Sequence, residues 1–386
     1  MSIPGRSTLT AAPVSSERFP GLDALRVFAI LGVVGRHYPH TGAPAWFAEP
    51  TRFGWVGVDL FFVLSGFLIG RQLLEPVARG ELPRWGTFYL RRVFRILPSY
   101  WVVLAVYALA PWAGSNDAMA PLWRFLTFTQ NFVSGSGAFG HAWSLCVEEQ
   151  FYLVLPLLVL ALHRVANARK IALLVLGLAA AGMALRAWLW WAHLATPPEG
   201  APLNPIYWRW IYGPTWNRMD GLMAGVVLAL VNVFRPEWWA RWHRFPMRSA
   251  LLAGGLLLPA WALCTVNKTL WGCVLLFPLL AAGFAALVVF ATTGPGTRIL
   301  GRIPGVRWLA SVTYCVYLTH QLVKSVVLDW MGARGLGPFH PLTALAFIGG
   351  LLAVSAGLHL LVERPFLRWR EQWAHPVPPK ARAAEA

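Results

Sequence analysis

Two ionisable residues occupy places where ionisable residues are costly. Arg26 and His37 lie inside an apolar run from Leu22 to Tyr38. They are eleven residues apart, which on a helix is about three turns and about 16 Å of rise, so both fall on one stripe at different depths. Ionisable side chains within a membrane segment face a bundle interior or an aqueous cavity and mark candidate functional sites. The competing account is an arginine snorkelling from one end and a histidine at the opposite interface. Other candidates follow along the chain. Asp59 stands in Gly57-Val58-Asp59-Leu60-Phe61-Phe62, where lipid exposure would cost about 2.5–3.5 kcal/mol. Arg91, Arg92 and Arg95 repeat at i,i+3 and i,i+4, so a helix there would gather guanidinium groups suited to phosphate oxygens, unless they are ordinary membrane anchors. Glu148 and Glu149 open an apolar helix side by side, and because neighbours diverge by about 100° only one of them can face a shared cavity. Arg218 and Asp220 begin another helix, and His320 falls past the middle of a later one, where either packing or function would explain it. His37 and His40 are at i,i+3, but Pro39 interrupts the helix and no third ligand accompanies them, so no metal site is expected.

The elements that would carry these residues are membrane helices. With 57% hydrophobic and 13% charged residues among 386, the composition departs from that of soluble globular domains. Apolar windows of spanning length occur near 22–39, 53–74, 92–112, 142–163, 169–193, 216–234, 248–266, 269–293, 307–330 and 341–362. The expected fold is therefore an all-α polytopic bundle of about ten transmembrane helices. The net charge of +17 would suggest a nucleic-acid partner in a soluble chain, yet the basic residues concentrate in alternate loops. Arg71, Arg79, Arg84 and Arg91 lie in one such loop, Arg235, Arg241 and Arg244 in another, Arg298, Arg302 and Arg307 in a third, and Arg364 and Arg368 follow the last window. The positive-inside rule accounts for that pattern, places both termini in the cytoplasm and removes the need for nucleic acid. The first apolar run holds Arg26 and lacks a small-residue cleavage site, so it reads as a retained helix and not a signal peptide. Residues 1–20 read as a loose leader and 369–386 as a disordered tail. Leu122 to Val133 is too short to span easily and is a candidate re-entrant stretch. The aromatic run Ile206 to Tyr212 fits an interface belt or a sugar-stacking surface. Windows 248–293 hold few polar residues and read as lipid-facing scaffold. The four cysteines have no CxxC spacing and read as buried thiols, with a Cys264–Cys273 bridge as the alternative.

Taken together, Leu22-Asp23-Ala24-Leu25-Arg26 through His37, Gly57 to Phe67, the Arg92–Arg95–Pro98 element, Trp143 to Tyr152 and Arg218-Met219-Asp220-Gly221 resemble the integral-membrane acyltransferase family 3. That family is typified by bacterial surface-polysaccharide O-acetyltransferases. The likeness runs over about 21–368, with Cys146 where serine is common. It implies ten core helices, an acyl-CoA donor, most often acetyl-CoA, and an essential arginine–histidine pair that falls on Arg26 and His37. It also singles out Glu148 over Glu149. No appended extracytoplasmic esterase-like domain is expected. In the resulting scheme Arg91, Arg92 and Arg95 take the donor phosphates, Arg26 guides the pantetheine arm, and His37 is general base, oriented by Glu148 or by Asp59. Asp59, Arg218, Asp220 and His320 support the acceptor side. Transfer is direct, because no Ser or Cys stands beside a base. The acceptor is a cell-envelope glycan or glycolipid hydroxyl, the alternative a small diffusible molecule such as a macrolide. A polytopic transporter is the more distant reading, weakened by the lack of a repeat relating two halves. The expected location is a bacterial cytoplasmic membrane.

Overall fold

Pro20 can open a helix because its missing N–H is an orphan there anyway, and Pro39 forces the preceding Tyr38 into an extended conformation (φ −75°, ψ 150°), so the helix stops at His37. This places Arg26 in the second turn of α1 (Pro20–His37) and His37 at its last residue. The computed structural model describes residues 19–81, 83–110, 119–133, 137–164 and 168–374. The expected leader and tail therefore lie largely outside the described residues. Residues 369–374, expected to be disordered, instead end a helix.

Among the described residues every regular element is helical. After α1 come α2 (Ala45–Thr51), α3 (Gly57–Ala78), α4 (Trp85–Leu109), α5 (Leu122–Leu126), α6 (Trp143–Arg164), α7 (Ala168–His193), α8 (Leu203–Tyr207) and α9 (Met219–Phe234). The chain continues through α10 (Pro236–Arg244), α11 (Pro246–Thr265), α12 (Leu270–Thr292), α13 (Gly294–Gly301), α14 (Val306–Gly332), α15 (Pro341–Leu358) and α16 (Arg364–Ala374). Each of the ten apolar windows is occupied by one long helix. Among the described residues six stretches are long and apolar enough to cross a membrane on length and composition alone, or seven if α9 and α10, bent by 105°, form one broken span. The interior helices α1, α6 and α14 are not among the six.

α1 packs against α3, α12, α13 and α14, while α3 and α9 form the most intimate pair. Small residues allow that approach: a Cβ on Gly66 would meet the Leu222 carbonyl oxygen, and one on Gly225 would meet the Val63 carbonyl and the Phe67 amide. The windows over 248–293 do not form a uniform lipid-facing scaffold. α11 turns Leu251, Leu252 and Leu258 outward, but α12 buries Leu276, Phe277, Leu280 and Val288 against neighbouring helices. An all-apolar helix suits a bundle interior as well as lipid, and hydropathy alone does not separate the two. The stretch after Leu122 makes one short helix and a 3-10 turn at Gln130–Phe132, with Phe125, Gln130 and Asn131 buried, and does not cross the bundle as a helix. All four cysteines are buried free thiols, so Cys264 and Cys273 are not bridged.

Gly225→Val forces α3 and α9 apart. It is expected to destabilise the detergent-solubilised protein by about 1–3 kcal/mol and lower its thermal midpoint, whereas Gly177→Ala, with nothing within 4 Å of its added Cβ, does not.

Candidate active site

α1 brings His37 to α14, where His320 waits one turn above Tyr317. His37 Nδ1 and His320 Nε2 are 3.0 Å apart, and His320 Nδ1 is 2.7 Å from the Tyr317 carbonyl oxygen. A carbonyl only accepts, so Nδ1 of His320 carries its proton. With His320 neutral, its Nε2 accepts from His37 Nδ1–H. The hydrogen-bond pattern thus assigns His37 the tautomer whose Nε2 holds a lone pair. Lys324 Nζ donates to the His37 carbonyl at 3.1 Å and ties the last turn of α1 to α14. His141 reaches the same place from the 3-10 turn before α6, with its ring 4.9 Å from that of His320 and its Nε2 3.3 Å from the Leu318 carbonyl. Burial pushes the His141 imidazole down to about 3, so it stays neutral. Tyr317 donates to the His141 carbonyl and shares a 2.7 Å hydrogen bond with Ser144.

His37 lines a cavity of about 570 Å³ at this end of the bundle. Trp55, Trp143, Tyr207, Trp208 and Tyr212 supply much of its wall, and Asn204, Asn267 and Gln321 offer amides. Trp208 and Tyr212 belong to a π-helical turn, Trp208–Tyr212, a local irregularity common at functional sites. The aromatic run therefore lines a cavity and is more than an interface belt.

Arg26 lines a second cavity, of about 1300 Å³, at the other end of α1. Arg71, Arg95, Arg302, Arg307 and Arg364 line it too. Three of the six arginines have carboxylate partners: Asp23 for Arg26 at 2.8 Å, Glu75 for Arg71 at 2.7 Å and Glu363 for Arg95 at 3.5 Å. Arg302, Arg307 and Arg364 have none among the described residues. Of the four expected donor residues, Arg26 and Arg95 line this cavity and Arg91 and Arg92 do not. Arg92 instead lies against α6, with its guanidinium 5.8 Å from the Tyr152 ring centroid. The signal for the missed arginines was in the sequence, in loops already explained by the positive-inside pattern.

The expected pairing of His37 with Glu148 or Asp59 does not form. Glu148 accepts from Tyr152 at 2.8 Å and Ser65 at 3.2 Å, between α3 and α6. Asp59 accepts from Arg218 at 2.9 Å, and Asp220 takes Arg186 through two bonds of 2.8 and 3.1 Å. Neither Asp59, Arg218 nor Asp220 lines the cavity of His37. The Arg218 guanidinium lies behind its wall, 4.5 Å from the Tyr212 ring centroid and 5.4 Å from that of Trp143. These residues are costly to bury singly and settle each other's charge, so burial alone did not mark them as reactive. One further group was missed: Cys315, His359 and Glu363, the last two at i,i+4 across a second π-helical turn, His359–Glu363, bring ligand atoms within 4.8 Å of one another, close enough to hold a divalent cation.

An acyltransferase domain family matches residues 19–359. Among curated relatives, the peptidoglycan O-acetyltransferase OatA of Listeria monocytogenes is 27% identical over 79% of this chain and 49% of its own length. A Bacillus subtilis protein provisionally named peptidoglycan O-acetyltransferase YrhL is 28% identical over 79% of this chain and 48% of its own. A provisionally named O-acetyltransferase of Staphylococcus aureus is 28% identical over 55% of this chain and 34% of its own. The chain thus spans half or less of the length of these relatives. No solved structure matches it.

Asp59→Leu strands a buried arginine and is expected to cost about 3–5 kcal/mol, while Asp59→Leu with Arg218→Met recovers most of that loss. Thermal unfolding of the purified variants in detergent measures both.

Proposed function

The chain belongs to the acyltransferase family that matches residues 19–359, and from that membership we propose that it is a membrane O-acyltransferase that moves an acyl group, acetyl in the first instance, from acyl-CoA to a hydroxyl of a cell-envelope glycan. The observation that carries this reading is that one rigid helix, α1, presents Arg26 to an arginine-lined cavity and His37 to an aromatic-lined one. At about 1.5 Å per residue the two lie about 16 Å apart. The arginine cavity faces the cytoplasm in this scheme. Arg302, Arg307 and Arg364, without carboxylate partners among the described residues, take the phosphates of coenzyme A together with Arg95, and Arg26 stands where the pantetheine arm enters the bundle. The aromatic cavity takes the sugar, whose C–H faces stack on Trp and Tyr rings. The relatives named as peptidoglycan O-acetyltransferases make a cell-wall glycan the leading acceptor class.

The chemistry proceeds by direct transfer. His37 Nε2 removes the proton of the acceptor hydroxyl as its oxygen attacks the thioester carbonyl. The imidazolium that forms keeps its Nδ1–H on His320 Nε2, so His320 has the orienting role for which Glu148 and Asp59 were the expected candidates. Collapse of the tetrahedral intermediate breaks the C–S bond, and the proton on His37 leaves with the thiolate as the thiol of coenzyme A. The ester remains on the glycan.

Reconstituted vesicles given radiolabelled acetyl-CoA and envelope glycan test the scheme. His37→Ala is expected to lower transfer by about 10²–10⁴-fold, the usual contribution of a general base; wild-type turnover by that variant would refute the assignment. Arg302→Gln with Arg364→Gln is expected to raise KM for acetyl-CoA with little change in kcat, and an unchanged KM would place the donor elsewhere.

A further inference from the structure

The aromatic cavity has a charge pattern that a neutral sugar does not explain. Two cations line it, Arg36 on α1 and Lys268 on the turn between α11 and α12, and among the described residues no aspartate or glutamate does. Neither cation has an ion-pair partner among the described residues. The deeply buried arginines of the bundle behave otherwise, since Arg186 and Arg218 each hold a carboxylate. Lys268 is also held in place, because its carbonyl accepts the Trp190 indole N–H at 2.8 Å and fixes the turn at the cavity mouth. Arg36 and His37, at the last turn of α1, both line this cavity, so a negative group at Arg36 would lie close to the reacting hydroxyl.

Aromatic walls lower the local dielectric and lengthen the reach of charges at the rim. Two cations there, with no carboxylate among the described residues of the lining to neutralise them, hold a positive potential over a space otherwise fitted to stack sugar rings and bond hydroxyls through Asn204, Asn267 and Gln321.

We infer that the acceptor is an anionic glycan, with a carboxylate or phosphate monoester on the acylated sugar or its neighbour, recognised by Arg36 and Lys268. This inference rests on the acyl-transfer reading above and adds the charge of the substrate to it. The negative group binds and orients; it takes no part in bond making.

The test uses the full chain in vesicles with labelled acetyl-CoA and three forms of one envelope glycan preparation: untreated, methyl-esterified at its carboxylates, and phosphatase-treated. One of the two treatments is expected to raise acceptor KM at least tenfold, and which one does so identifies the anion. Arg36→Gln and Lys268→Gln are each expected to raise KM for the untreated glycan and to shrink its advantage over the neutralised form. Added salt is expected to raise KM for the untreated glycan more than for the neutralised one. Equal KM for all three forms, or variants that keep the full preference, would overturn the inference while leaving the transfer reading in place. Absence of labelled product with every form would overturn both.

Discussion

A charge buried in an apolar helical bundle is tolerable only when its counter-charge is buried beside it, and the frame of this protein depends on two such pairs. Arg218 reaches back to Asp59 on α3, and Asp220 reaches across to Arg186 on α7. These neighbours in sequence thus belong to opposite pairs, which clamps the first turn of α9 from two sides. The glycine seam between α3 and α9 continues from the clamp. The same Arg218 guanidinium underlies Tyr212 and Trp143, so the wall of the aromatic cavity rests on an ion pair that the cavity never exposes.

Against that frame α1 acts as a rigid link between two cavities. Its proline-set ends decide which residues it presents at each, and its packing on α3, α12 and α14 keeps it from shifting along its axis. The histidine partner chosen for His37 suits this setting. A carboxylate beside the imidazole would leave a charge in the bundle whenever no substrate is bound, whereas two neutral imidazoles satisfy each other without one. In the proposed scheme charge enters only with the substrates, at the arginines of one cavity and at Arg36 and Lys268 of the other. Helical irregularity marks both ends as well, since one π-helical turn lines each cavity.

Much of this was legible along the chain. The helical fold followed from apolar windows, because membrane helices satisfy their backbone locally and leave their signature in consecutive residues. Arg26 and His37 stood out for the same reason, as local exceptions to a local rule, and the motif resemblance led to the family that the domain match establishes. The aromatic run at Ile206–Tyr212 was seen, with both its readings.

Partnership was not legible, because it is decided between helices distant in sequence. Spacing showed that Asp59, Glu148, Arg218 and Asp220 were too costly to leave alone, but nothing in one dimension tells an ion pair from a catalytic dyad. His320 lies 283 residues from its partner His37, and only packing of α1 on α14 makes it the group that sets the tautomer. Cavities share that dependence: Arg302, Arg307 and Arg364 were read as loop charges until the fold set them around one space. The sequence by itself determined the helices, their apolar faces and which residues could not be buried unpaired. The tertiary structure alone decided which charges neutralise each other and which line cavities without a carboxylate partner among the described residues, because that choice is made by distances of a few ångströms across the bundle.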